Sequence, residues 1–172
     1  MAVHEPTPVR RITLSVLVEN RAGVLSHVTG LFSARGFNID SLAVGETEDP
    51  TLSRITLVLH GDEKTLEQIK KQLNKLIDVI KIQDLTEEDF IDRELMLVKV
   101  RHSPELKERL PVLLSQHSLK VLEENPKVVA FECTESSQNA EKLFGIFKEL
   151  GIVEIARTGT VALSKKAGAE GE

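Results

Sequence analysis

Asn20, Arg21, Ala22 and Gly23, followed fifteen positions on from Gly23 by a second asparagine at Asn38, are the residues of this chain whose types and spacing best suit chemistry. That chemistry is recognition, not bond making. The four stand between an apolar, strand-like segment and a helical run, so they present backbone N–H groups and the positive end of a helix dipole. Such a place attracts anions. Gly23 has no side chain to hold a carboxylate away, and an asparagine offers both a donor and an acceptor, which suits the two ends of a zwitterion. On spacing alone a plainer reading stands beside this one: Asn20 caps the helix and Gly23 relaxes a tight turn.

No other constellation competes. His4, His27, His60, His102 and His117 fall in separate segments without cysteines or carboxylates at ligand spacing, so they read as solvated surface residues and no metal site is expected. No nucleophile elbow, zinc-protease helix, phosphate loop or dinucleotide fingerprint is present, so no catalytic residue is assigned. The pair Glu87–Glu88 lies in an acidic run, where solvated charge is the expected role. The single cysteine, Cys133, sits beside Phe131 and Val129 and reads as a core residue of a strand.

Composition narrows the partners. With 22 Lys and Arg against 27 Asp and Glu the net charge is −5, and neither Trp nor Tyr is present, so nucleic acid is not an expected partner. The longest apolar runs are far shorter than the ~20 residues of a membrane span, and Met1–Pro8 lacks a secretory pattern. A cytoplasmic protein without membrane contact is expected.

Two copies of one pattern would position the recognition residues. Ile12, Leu14, Val16 and Val18 alternate with Thr13, Ser15 and Glu19 as a half-buried strand, with Leu17 breaking the polar face. Val24, Leu25, Val28, Leu31 and Phe32 then recur at helical spacing, and Gly36 suits a left-handed cap. FNIDSLAVGET and LSRITLVLH read as strands, Asp62 as the cap of a helix striped by Leu66, Ile69, Leu73, Leu76 and Ile77, and VIKIQDL as a closing strand. The order is βαββαβ over residues 11–85.

TEEDFID, 86–92, reads as a linker. From 93 to 165 the order repeats: strand ELMLVKV, a helix kinked or delayed by Pro111, strands SLKVLEE and VVAFECT, helix SSQNAEKLFGIFKEL, and a single strand IARTGTVALS. The expected class is α+β, two ferredoxin-like βαββαβ domains in tandem, each an antiparallel sheet with helices on one face. The opposite face, with Thr13, Ser15 and Leu17, is expected to be bare, and with open edge strands it predicts a homodimer. Residues 1–10 and 166–172 are expected to be disordered.

The stretch VENRAGVLSHVTGLFSARGFNIDSLAV, the run from DPTLSRIT to KIQDL, DRELMLVKV and EIARTGTVALSK together resemble the small regulatory subunit of acetolactate synthase, whose amino-terminal part is an ACT domain. The likeness spans residues 10–165 and is weaker over 103–150. The resemblance implies a chain with no catalysis of its own. It implies a large catalytic subunit as partner, which would carry thiamine diphosphate, Mg²⁺ and FAD and would be activated by this chain and made sensitive to valine. It further implies an effector site made by Asn20, Ala22, Gly23, Val24 and Leu25 of one ACT domain and by Asn38 and Ile39, at the start of the second strand, of its dimer mate. The second unit, opening HSPELKE, lacks the glycine-bearing signature. Two alternatives stand beside it: a standalone amino-acid-sensing ACT regulator, and an acylphosphatase-like enzyme using Arg21 and Asn20.

Overall fold

The computed structural model describes residues 8–166. They divide into two compact units, 8–90 with 162–166, and Ile91–Val161. The first contains β1 (Arg10–Glu19), α1 (Val24–Ser33), β2 (Ser41–Glu46), β3 (Leu52–Gly61), α2 (Glu63–Leu73) and β4 (Val79–Asp84). The strands form one antiparallel sheet in the order β2-β3-β1-β4. This is the expected βαββαβ arrangement.

Ile12, Leu14 and Val16 of β1 and Ile55, Leu57 and Leu59 of β3 pack against Val28 and Phe32 of α1 and Ile69 and Leu73 of α2. A ten-residue helix is marginal in water, whereas each fully buried aliphatic or aromatic side chain contributes about 1.5–3 kcal/mol, so packing is what makes α1 a helix. Its end is fixed by backbone geometry. Gly36, at φ 69°, donates to the Ser33 carbonyl while Phe37 donates to that of Phe32, the paired bonds of a Schellman cap.

Three expectations for this unit are corrected. The sheet face opposite the helices is not bare at Thr13 and Ser15, which are buried together with Thr56. Arg54 of β3 donates to Ser15 Oγ at 3.0 Å, and Thr13 is bound at the sheet edge, where Leu85 N–H donates to its carbonyl and its own N–H donates to Thr86 Oγ1. The apolar stripe of α2 stops at Leu73, because the helix ends at Asn74, and Ile77 in the following turn is 89% exposed. Arg10, expected in a disordered terminus, opens β1 and pairs with Glu63 and Glu87. The rest of that expectation, and the one for the carboxy-terminal tail beyond residue 166, fall outside the described residues apart from 8 and 9.

The second unit repeats the order. It comprises β5 (Phe90–Arg101), α3 (Pro104–Gln116), β6 (Leu119–Glu124), β7 (Val128–Glu135), α4 (Ser137–Leu150) and β8 (Ile152–Arg157), with sheet order β6-β7-β5-β8; a short β9 (Val161–Ser164) follows β8 in the chain and from Ala162 on falls in the first unit. Met96, Val98 and Val100 pack with Leu106, Leu143 and Phe147, and Phe131 stacks on Phe147 at 5.4 Å. Cys133 is wholly buried, as expected of a core residue, and burial pushes its thiol up to about 11.

Here too the structure departs from expectation. The acidic stretch is not all connection, since β5 begins at Phe90. IARTGTVALS is two strands, because Thr158 turns the chain out of β8 by donating its N–H to the Leu95 carbonyl and accepting the Leu95 N–H. Helix α3 starts at Pro104 behind its cap Ser103 and runs through Pro111 without interruption. His117 is not a solvated surface residue: its side chain is 14% exposed, with Nδ1 3.4 Å from Glu135, because it ends α3 against the start of β6.

Candidate site at the mouth of the first helix

Helix α1 begins on Gly23, at φ 91°, with no side chain capping it and no acidic residue in its first turn. The other described helices are capped: Asp62 accepts from Thr65 N, Ser103 from Leu106 N and Ser136 from Asn139 N. A side-chain oxygen at that position satisfies an amide that the helix itself leaves open. At α1 no side chain takes those amides, and Val24 N–H reaches the Arg21 carbonyl at 3.3 Å. A Cβ on Gly23 would meet nothing within 4 Å, so its dihedral angle, and not crowding, calls for glycine.

Asn20 is therefore not the cap. Its N–H donates to the Thr51 carbonyl at 2.7 Å, and its side-chain Nδ2 donates to Glu46 Oε1 at 3.0 Å and to the Pro50 carbonyl at 2.9 Å. These bonds tie the end of β1 to the β2–β3 turn. Ala22 is exposed, Leu25 is 39% exposed, and Val24 is buried with its side chain in the core, so only the backbone of Val24 reaches the mouth.

The composition of the loop hid a second set of residues. Arg21 pairs with Glu19 at 2.5 Å and with Asp78 Oδ1 at 2.7 Å, while His27 Nδ1 lies 3.1 Å from Asp78 Oδ2. The hydrogen bond from His27, with that from Arg21, holds the Asp78 carboxyl below the usual carboxylate range against the opposing effect of burial. Asp78 thus pins both the loop and the first turn of α1 to the entrance of β4. Arg21, Ala22, Val24, His27, Leu76 and Asp78 line part of a depression of about 450 Å³. Arg21 holds both carboxylates through Nη2. One signal was available in the sequence: Asp78 is an isolated acid in the apolar run LIDVI.

Asn38 and Ile39 lie in the connection between α1 and β2, not at the start of the strand, because pairing with β3 begins only where Asp40 N donates to the Val58 carbonyl. Ile39 packs on the core. Asn38 Nδ2 donates to Asp40 Oδ1 at 3.0 Å, and Asp40 Oδ2 is 2.7 Å from His60 Nδ1. Asn20 bonds to Thr51, just before β3, and Asp40 to Val58 within it; these anchors are seven residues apart, which at ~3.3 Å per residue separates them by roughly 23 Å. Within one chain the two asparagines do not meet. Among the described residues no group of three or more His, Cys, Asp or Glu side chains could hold a metal ion, and no helix is long and apolar enough to cross a membrane.

Residues 14–81 match a family described as an AHAS small subunit-like ACT domain, and residues 93–166 match one described as the small subunit of acetolactate synthase. The chain is 42% identical over 154 residues to a probable acetolactate synthase small subunit of Methanothermobacter thermautotrophicus, covering 88% of this chain and 91% of that one. It is 43% identical over 161 residues to the acetolactate synthase isozyme 3 small subunit of Escherichia coli K12, covering 91% and 96%. The crystal structure of an acetolactate synthase small subunit from Thermotoga maritima superposes with a TM-score of 0.80 at 37% identity, covering 92% and 99%.

Proposed function

The chain belongs to the acetolactate synthase small-subunit family, and from that premise we propose that it is the non-catalytic partner of a large catalytic subunit, activating it and conferring feedback inhibition by valine. The thiamine diphosphate, Mg²⁺ and FAD of the reaction belong, in this reading, to the large subunit. The family match over 93–166 favours this over a standalone amino-acid sensor, since it extends the likeness to small subunits through the second domain.

The observation that carries the effector site is the separation of Asn20 from Asn38. A small amino acid spans a few ångströms and cannot touch both within one chain, but two copies can supply one each. Strand β2 is an edge of its sheet, with Val44 49% exposed. With β2 paired antiparallel to its own copy about a two-fold over its full length, Ser41 stands opposite the partner's Glu46. The same register carries Asn38 level with the partner's Asp49, beside the Pro50 carbonyl that holds Asn20. The uncapped mouth of α1 then receives the effector's carboxylate on backbone amides that no side chain satisfies.

An effector bridging two chains stabilises one dimer geometry over another, and linkage passes that preference to the large subunit. A coupling of ~1–3 kcal/mol gives 5- to 150-fold effects. The test is an assay of the cognate large subunit, with and without this chain, across a valine titration. Activity should rise on adding the chain and fall with valine only in its presence; a large subunit indifferent to the chain would refute the reading.

A further inference from the structure

The hydrogen bonds of the two asparagines fix which pole of each amide is left for a ligand. Both hydrogens of Asn20 Nδ2 are taken, one by Glu46 Oε1 and one by the Pro50 carbonyl. A carbonyl and an ionised carboxylate only accept, so the nitrogen must face them and the oxygen must face away. Asn38 is set in the same sense: Asp40 Oδ1 takes a hydrogen of its Nδ2, and Asp40 is itself steadied through its other oxygen by His60.

Resting on the shared site proposed above, we infer that Glu46 and Asp40 are positioning residues that turn both asparagine amides so that each offers its carbonyl oxygen to the ligand, which makes the site selective for an α-ammonium group. The consequence is discrimination between an α-amino acid and the 2-oxo acid of the same carbon skeleton. The amino acid brings donors to the two oxygens, and the negative charges of Glu46 and Asp40 add attraction for a cation. A 2-oxo acid sets a carbonyl, another acceptor, against them. Sites built to hydrogen-bond an NH reject the analogue lacking it far more strongly than apolar pockets reject a missing methylene, because polar groups are left unpaired. At a partly exposed site a discrimination of ~100-fold or more is expected.

The test is calorimetry on the full-length chain with L-valine and with 3-methyl-2-oxobutanoate. The wild type should bind valine and bind the oxo acid at least ~100-fold more weakly. Glu46→Gln and Asp40→Asn replace obligate acceptors by amides that can also donate, so Asn20 or Asn38 can turn over; each should narrow the gap about tenfold, the size of one weakened polar contact. Equal binding of the two ligands by the wild type would overturn the inference while leaving the shared site standing. So would variants that weaken both ligands in parallel at a constant ratio, the mark of a merely structural role. No binding of valine by the wild type would remove the site itself. The wild-type comparison decides the matter even if a variant fails to fold.

Discussion

Asn20 and Asn38 flank the same helix yet stand at opposite ends of the sheet beneath it, one tied to the turn before β3 and the other beside the far end of that strand. If each effector site takes Asn20 from one chain and Asn38 from the other, mixed dimers separate the possibilities. A chain carrying both Asn20→Ala and Asn38→Ala, paired with a wild-type chain, should retain no intact site. A chain with Asn20→Ala paired with one carrying Asn38→Ala should retain one site of two. Pockets formed within single chains would reverse both outcomes, and valine stoichiometry measured by calorimetry distinguishes them.

Gly23 supplies a second test, with its own control. Any residue other than glycine at φ 91° carries strain on the order of 1–3 kcal/mol, but a methyl group there meets open space. Gly23→Ala therefore should weaken α1 slightly and keep a measurable valine response. Gly23→Asp adds a carboxylate at the mouth where the effector's own is placed, so it should abolish inhibition while leaving activation of the large subunit largely intact. Unchanged valine affinity in the aspartate variant would take Gly23 out of the site.

Periodicity made the first unit legible because its core residues are spaced by the elements they belong to: two for Ile12 to Val18, and three or four for Val24 to Phe32. It failed where a local bond outweighs pattern. Ile77 fits the stripe of α2, yet the helix has already ended at Asn74. Asn38 and Ile39 adjoin the strand but precede its first ladder bond. Asp78 stands out in the sequence as an isolated acid, but its partners do not, because it lies more than fifty residues from Arg21 and only the fold brings its carboxylate to the loop. The pair Asn20 and Asn38 could be picked out by residue type, but their separation needed the register of β3.

That buried carboxylate gives the loop an acid sensitivity. Asp78 has a folded pKa lowered first by His27 and then by Arg21, so its contribution to stability is present above the ordinary aspartate value of about 4 and is lost as pH falls through its lower folded value. Asp78→Asn should melt earlier than the wild type at neutral pH, with the difference shrinking below pH ~4, where the wild-type carboxylate is itself being protonated. Melting curves across pH 3–7, a range set about the ordinary aspartate value, measure this. A gap that stays constant across the range would mean that the Asp78 charge does not hold the loop.

Cys133 should behave as an inert thiol. Burial pushes it up to about 11, so at pH 7.5 thiolate is scarce, and the side chain is wholly enclosed in the second core. Labelling with a disulfide reagent should be at least ~100-fold slower in the native protein than in guanidinium, where the thiol returns to about 8.5. Rapid native labelling would show that β7 opens readily.

Pro111 lies well inside α3 and is exposed, and it has no N–H to donate to the Lys107 carbonyl. The helix persists because Leu106 and Leu113 are buried on its inner face, with Leu110 partly buried between them. Pro111→Ala restores the missing bond at a solvent-facing position. The second unit should gain stability of ~1–3 kcal/mol, read as a higher urea midpoint at unchanged slope. The gain should fall short of the full helix-propensity difference, because alanine also gives the unfolded chain freedom that proline denied it. A lower midpoint in the variant would show instead that the proline ring makes a contact in the assembled protein that outweighs the missing hydrogen bond.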